Sequence, residues 1–254
     1  MTCITEKFLR VNYNLGKLII LGGILVKFTV EHTPATIVKV YPKSSDLFKK
    51  YRIDFCCGGN RPLKESFTEK DLDETEVLGE LNASYEEWSK EDHDVIDWDA
   101  KSLSELIDHI RYTHHAPLME ELPALGQFVT KVYSRHGGTH PELKELYRIY
   151  NDFKVEMEEH TIKEENEVFP LIKEYEVNPS EELLERIRVA NGGLEDEHNG
   201  VGNMLKEMRK ITGDFIPPID ACGSYRITYA RLAELEEDTF QHIHLENNIL
   251  FAKL

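Results

Sequence analysis

From Ser102 to the C-terminus, apolar residues recur at spacings of three and four, and no stretch alternates as a half-buried strand would. The pattern predicts four long helical segments in succession. The first opens on Ser102-Leu-Ser-Glu105, a capping box, and runs to about Ser134 with kinks expected at Pro117 and Pro123. The second opens at Thr139-His-Pro-Glu142 and ends near Tyr175. The third starts after Asn178-Pro-Ser180 and reaches about Ile211, with an interruption expected at Gly192-Gly193. The fourth follows Pro217-Pro218 and Gly223 and extends almost to Leu254. Short connections make an antiparallel four-helix bundle the economical arrangement, and the fold class is all-α.

Upstream the elements are shorter. Thr33-Pro34 has the form of an N-cap followed by proline at the first helical position, and Ser44 or Ser45 starts a second helix through Leu47, Phe48 and Tyr51. That helix stops before Cys56-Cys57-Gly58-Gly59. A further helix is expected from about Asp71 to Trp88, and the acidic, aperiodic stretch after it reads as a linker. The chain thus divides into an N-terminal extension without a clean period (1–30), a small helical domain (31–90), a linker (91–101) and the bundle (102–254).

Polar residues interrupt the apolar stripes at matching places. In the second segment Leu146, Tyr150, Phe153 and Met157 lead to His160 and Glu164; in the fourth, Leu232 and Leu235 lead to His242, Glu246 and Ile249. In the third, His198 stands between Leu194 and Val201. Residues four apart project from adjacent turns of one helix face, so each His-x-x-x-Glu pair offers a nitrogen and an oxygen to the same small volume. An uncompensated carboxylate in a dry core is costly or takes up a proton, and a metal ion supplies the compensation. The first segment offers His109, His114 and His115. His114 follows Ile107 and Ile110, His115 leads to Leu118, Leu122 and Val129, and periodicity leaves the choice open.

A single histidine in an apolar stripe is more often a satisfied core residue than a ligand. Two His-x-x-x-Glu pairs, with a central histidine on each remaining helix, turn that balance toward a metal site. Nitrogen and oxygen donors without a nearby cysteine disfavour structural zinc and iron-sulfur clusters and suit iron or manganese. The Glu-x-x-His order of ferritin-like di-metal proteins is reversed here and histidines outnumber carboxylates, which favours a hemerythrin-type site. His32, His93, His136 and His140 lie outside the stripes, and His244, two residues from His242, faces elsewhere.

Composition then removes alternatives. The 254 residues are 41% hydrophobic, enough for a sizeable core, and 47 acidic against 30 basic residues give a net charge of −17, which repels nucleic acid and anionic membrane surfaces. The apolar run Leu18–Val26 is shorter than the roughly 20 residues needed to span a bilayer. It also lacks the cleavage site of a signal peptide. Cys3, Cys56, Cys57 and Cys222 are too few and too irregular for a secreted disulfide framework, so a cytoplasmic location is expected.

Several motifs in order resemble the RIC (repair of iron centres) family: Leu47-Phe-Lys-Lys-Tyr-Arg-Ile-Asp-Phe-Cys-Cys-Gly-Gly59, Ile107-Asp-His-Ile110, Leu122-Pro123, His160-Thr-Ile-Lys-Glu164, Glu197-His198 and His242-Ile-His-Leu-Glu-Asn-Asn-Ile-Leu-Phe251. The resemblance covers about residues 31–254, and residues 1–30 have no counterpart. It implies a hemerythrin-like bundle holding two non-haem, oxo-bridged irons through His115, His160, Glu164, His198, His242 and Glu246, with both glutamates bridging. His115 is preferred over His114 because it keeps the family's distance to Leu122-Pro123, although the family's usual tyrosine before this histidine is replaced by His114. The implied function is repair of iron-sulfur clusters damaged by nitric oxide or peroxide, by iron donation or nitric oxide removal. Damaged iron-sulfur proteins or assembly scaffolds would be the partners, and a homodimer the assembly.

Cys56 and Cys57 are the second chemical feature. Adjacent α-carbons sit about 3.8 Å apart, below the usual disulfide range, so a bond between them is strained and easily reduced. The pair suits redox exchange or transient iron handling, against the plainer reading of two small hydrophobes in a turn. Gly58-Gly59 permits positive φ and close backbone approach. Two competing readings are a hemerythrin-like carrier or sensor of oxygen or nitric oxide, and a di-iron oxidoreductase acting on nitric oxide or peroxide. A carrier has no evident use for the Cys-Cys-Gly-Gly domain.

Overall fold

The computed structural model describes residues 27–254 except Asp92 and Asp94, so the apolar run Leu18–Val26 and most of the N-terminal extension lie outside the described residues. The small domain contains α1 (Pro34–Val40), α2 (Ser44–Lys50), α3 (Leu63–Lys70) and α4 (Glu74–Trp88). Thr33 caps α1 by accepting the Thr36 N–H, and Asp73 caps α4 by accepting that of Glu76. Sequence periodicity places no element between Gly59 and Asp71 and so misses α3, which has no side-chain cap to announce it. Asp71 separates α3 from α4, in the left-handed region at φ 52°.

The bundle begins with α5 (Leu103–Ile110), whose capping box between Ser102 and Glu105 forms as expected. It continues through α6 (Ala116–His136), α7 (Glu142–Lys163) and α8 (Phe169–Val177). Next come α9 (Glu181–Ala190), α10 (Leu194–Ile211) and α11 (Gly223–Leu245). The interruption at Gly192-Gly193 is real, with Gly193 at φ 96°, and divides the third segment into α9 and α10. The first segment breaks just before Pro117, whereas Pro123 lies inside continuous α6. α6 packs on α7 and α11, and α10 packs on the same two, closing the four-helix square.

The bundle core is split. One apolar cluster runs from Leu118, Val129 and Met157 through Val201, Phe240 and Ile243 and continues without a gap into the small domain at Phe48, Phe55 and Cys56. The other gathers Ile107, Ile110, Val168, Leu194, Leu245 and Ile249. Each of the four segments, α5–α6, α7–α8, α9–α10 and α11 with its C-terminal turn, passes from one cluster to the other, and each carries a polar residue at the crossing.

Candidate metal centre

That crossing layer contains His115, His160, Glu164, His198, His242 and Glu246, all at most 3% exposed. The helices deliver them through an unusual backbone. Wider i→i+5 turns occupy Arg111–His115, Glu164–Val168 and Glu246–Leu250, so the first ends and the other two begin on a member of the cluster. Such π-turns insert a residue into the α-helical register and recur at functional sites.

The turn at Arg111–His115 explains why periodicity could not choose in the first segment. An uninterrupted α-helix would carry the Ile107 and Ile110 stripe onto His114; the extra residue brings His115 inward instead. His114 turns to Asp238, with Nδ1 2.8 Å from Oδ1, and stacks on the His242 ring at 5.7 Å. His109 packs on Trp98 and stays outside the cluster.

The Nε2 atoms of His115 and His242 face each other at 2.9 Å, as do those of His160 and His198. Glu164 Oε2 lies 3.4 Å from His115 Nε2 and 3.2 Å from His160 Nε2. Glu246 reaches His242 with Oε1 at 2.8 Å and His198 with Oε2 at 3.1 Å. Two tetrads result, His115–Glu164–His242–Glu246 and His160–Glu164–His198–Glu246, each with its donor atoms within 4.8 Å of one another. Bonds of about 2.0–2.2 Å to nitrogen and oxygen put opposite ligands of one ion at most about 4.4 Å apart. Both oxygens of Glu164 and Oε2 of Glu246 are buried without a hydrogen-bond donor. Unsatisfied carboxylate oxygens beside converging imidazole nitrogens fit metal ions, and the two shared glutamates fit a pair.

Three of the four second ring nitrogens have their own partners, whereas His242 Nδ1 is buried without one. His115 Nδ1 lies 3.1 Å from Glu165, which also holds Arg111; His160 Nδ1 lies 2.8 Å from Glu197, which also holds Lys163; His198 Nδ1 lies 2.9 Å from Asn247. Such bonds fix the ring orientation and raise its basicity as a ligand. Sequence reasoning passed over Glu165, and it included Glu197 and Asn247 in motifs without giving either a role. Their only signal is adjacency to a candidate ligand, and Glu165 supports a histidine on another helix.

The charges respond as a metal-binding cavity should. Burial pushes the Glu246 carboxyl up, but His242, His115 and His198 outweigh it and hold it well below the usual carboxylate range. Burial pushes His115 down, and Glu164 and Glu246 override this to lift it to about 10; His160 rises to about 9 against the same penalty. Within the layer burial prevails only at His242, whose pKa is lowered. A cleft of about 330 Å³ between Arg111, Tyr112, Met119, Thr161 and Glu165 reaches the outer side of His115 from the surface.

The other histidines take structural places. His93 stacks on Trp88 at 4.4 Å, His32 contacts Thr29, and His136 and His140 lie near Cys222 and Asp220 in another part of the chain. Buried His244 faces the small domain, its Nδ1 3.3 Å from the Phe55 carbonyl, and burial lowers its pKa to about 4. Cys56 and Cys57 lie against the metal layer. Asp54 Oδ1 accepts the backbone N–H groups of Cys56, Cys57 and Gly58, and Asn248, on the Glu246 turn, donates to the Cys56 carbonyl at 2.9 Å. The Cys57 thiol points at the backbone oxygen of His198, 3.5 Å away. Neither Gly58 nor Gly59 has positive φ. What the motif uses is close approach, since a Cβ on Gly59 would lie 2.2 Å from the Phe55 carbonyl oxygen.

Comparison with known proteins agrees with this layout. Residues 106–254 match the Hemerythrin HHE cation binding domain, and residues 31–85 match a Domain of Unknown function (DUF542). The iron-sulfur cluster repair protein ScdA of Staphylococcus haemolyticus is 35% identical over 229 residues, covering 89% of this chain and 98% of that protein. The iron-sulfur cluster repair protein YtfE of Escherichia coli O157:H7 is 34% identical over 212 residues, covering 84% and 91%. Among the described residues no helix is long and apolar enough to cross a membrane.

Proposed function

The chain belongs to the family of iron-sulfur cluster repair proteins with a hemerythrin cation-binding domain, and from that premise we propose that it holds two irons and restores iron-sulfur clusters damaged by oxidative or nitrosative stress. The observation that carries this reading is the pair of His₂Glu₂ tetrads sharing Glu164 and Glu246 in a layer sealed above and below by apolar residues. His115 and His242 would hold one ion and His160 and His198 the other, with Glu164 and Glu246 available to both.

Bound iron supplies ferrous–ferric cycling and a place for nitric oxide or oxygen to bind. The chain's own residues do the rest. Glu165, Glu197 and Asn247 orient three of the four imidazoles, and the apolar clusters exclude water. Cys56 and Cys57, packed on the turns that bear His198 and Glu246, serve as a redox or iron-handling pair beside the site. This favours repair over a simple oxygen or nitric oxide carrier, for which the small domain would be dispensable.

The test is recovery of a cluster enzyme inactivated by nitric oxide. Cys56→Ala/Cys57→Ala and His160→Ala variants are each expected to lose most of the recovery seen with the wild type. Full recovery with either would contradict the proposal.

A further inference from the structure

The turn that closes the metal layer also holds the cysteine pair. Glu246 opens the π-turn Glu246–Leu250, and the next two residues reach in different directions. Asn247 Oδ1 lies 2.9 Å from His198 Nδ1, whereas Asn248 Nδ2 donates to the Cys56 carbonyl at 2.9 Å. His244, one helical turn earlier, brings Nδ1 within 3.3 Å of the Phe55 carbonyl and 3.2 Å of Asn248 Nδ2. From the other side the Cys57 thiol donates to the His198 backbone oxygen at 3.5 Å. The cysteine turn is thus gripped by the two chain segments that carry Glu246 and His198.

The carbonyl that Asn248 holds belongs to the peptide joining the two cysteines. A bond between neighbouring cysteines closes an eight-membered ring that contains this peptide. The α-carbons are only about 3.8 Å apart, below the usual disulfide range, so closure twists the peptide out of its present orientation. The sulfurs, now 3.6 Å apart, must also approach to about 2.05 Å. Closure therefore removes the thiol hydrogen that Cys57 gives to His198 and pulls the Cys56 carbonyl from Asn248, whose Oδ1 is already buried without a partner among the described residues. We propose that the oxidation state of Cys56–Cys57 sets how tightly the irons are held, with Asn248 as the positioning residue that links the two. The dithiol keeps the Glu246 turn and the His198 segment in the arrangement that converges the ligands; the disulfide loosens both and favours iron release. The inference rests on the redox reading of the pair and the two-iron reading of the site given above.

Cys57 is partly exposed and Cys56 buried, so Cys57 meets the oxidant first. With a peroxide, the Cys57 sulfur takes one oxygen to become a sulfenic acid, the oxygen–oxygen bond breaks, and one water leaves. The Cys56 sulfur then attacks Cys57 Sγ, the sulfur–sulfur bond forms, the sulfur–oxygen bond breaks, and a second water leaves. The pair loses two electrons and two thiol protons, and the peroxide gains them. Coupling between sites is reciprocal, so whatever factor oxidation takes from iron binding, bound iron returns as protection of the dithiol.

The full-length, ferric-loaded protein is titrated with desferrioxamine before and after diamide, with oxidation followed as loss of two hydrogens from the Cys56–Cys57 peptide. Oxidation is expected to weaken iron retention about tenfold. Cys56→Ala/Cys57→Ala should not respond to diamide, and Asn248→Ala should respond under about threefold. Because each protein is compared with itself, a general weakening by the substitution cancels. In the wild type, the midpoint potential of the pair in anaerobic glutathione buffers should be higher with iron than without by about 30 mV, the two-electron equivalent of a tenfold effect. Iron retention unchanged or tightened on oxidation, equal midpoints, or a full response in Asn248→Ala would overturn the coupling and leave the redox reading standing. A pair that stays dithiol in diamide would overturn the redox reading and the coupling with it.

Discussion

Glu165 and Glu197 each stand between a candidate ligand and a cation, holding the outer nitrogen of His115 or His160 on one side and Arg111 or Lys163 on the other. Removing such a carboxylate leaves the ligand in place but frees its ring. Glu165→Ala and Glu197→Ala are therefore expected to weaken iron binding about 10–100-fold, measured by competition with a chelator. Unchanged affinity would show that packing alone orients the rings. At this scale the sequence was informative where a polar residue had to sit on an apolar stripe, as with His160, Glu164, His242 and Glu246. It said nothing of Glu165, whose contact with His115 depends on how two helices pack.

At the scale of elements, the three π-turns decide which side chains enter the layer. Tyr112 lies in the first of them and is 72% exposed, so its removal would cost little packing. Deleting Tyr112 is expected to restore α-helical register with His115 now four residues after Ile110 and so still facing the cluster; iron content should be retained, with helix content by circular dichroism unchanged. Loss of iron would mean that the wider turn itself is needed to hold His115 in place. The long helices, their capping box and the break at Gly192-Gly193 could be read from periodicity and caps. The π-turns could not, because a single inserted residue leaves an apolar pattern consistent with either register. Helix α3 escaped for a different reason: it is nearly as short as α1 and α2 but has no capping side chain of the kind that announces α1.

Across the whole molecule, the small domain and the bundle share one apolar cluster and are joined by polar contacts around the Cys-Cys turn. Asp54 is central among these contacts. It accepts three backbone N–H groups of the turn and pairs with Lys206 of α10 at 2.6 Å. Burial raises its pKa, but Lys206 and the N–H donors outweigh this and hold it below the ordinary 3.8. A carboxyl whose folded pKa is depressed stabilises the fold above its unfolded value and loses that contribution as pH falls through the folded value. Asp54→Asn should accordingly melt at lower temperature than the wild type at neutral pH, and the gap should close on acidification below about 3.8. A gap independent of pH would assign the effect to lost packing. The two-part architecture was legible from the motifs, but the shared core was not, because no local pattern reveals which exposed-looking face of α2 or of the Cys-Cys turn meets α10 and α11.

The central claim is that six buried side chains from four helices hold a pair of irons. Metal analysis by mass spectrometry on protein purified without added metal, together with its absorption spectrum, tests it most directly. About two irons per chain and the spectrum of an oxo-bridged ferric pair are the expected result. Zinc in the site, or no metal after attempted iron loading, would contradict the account.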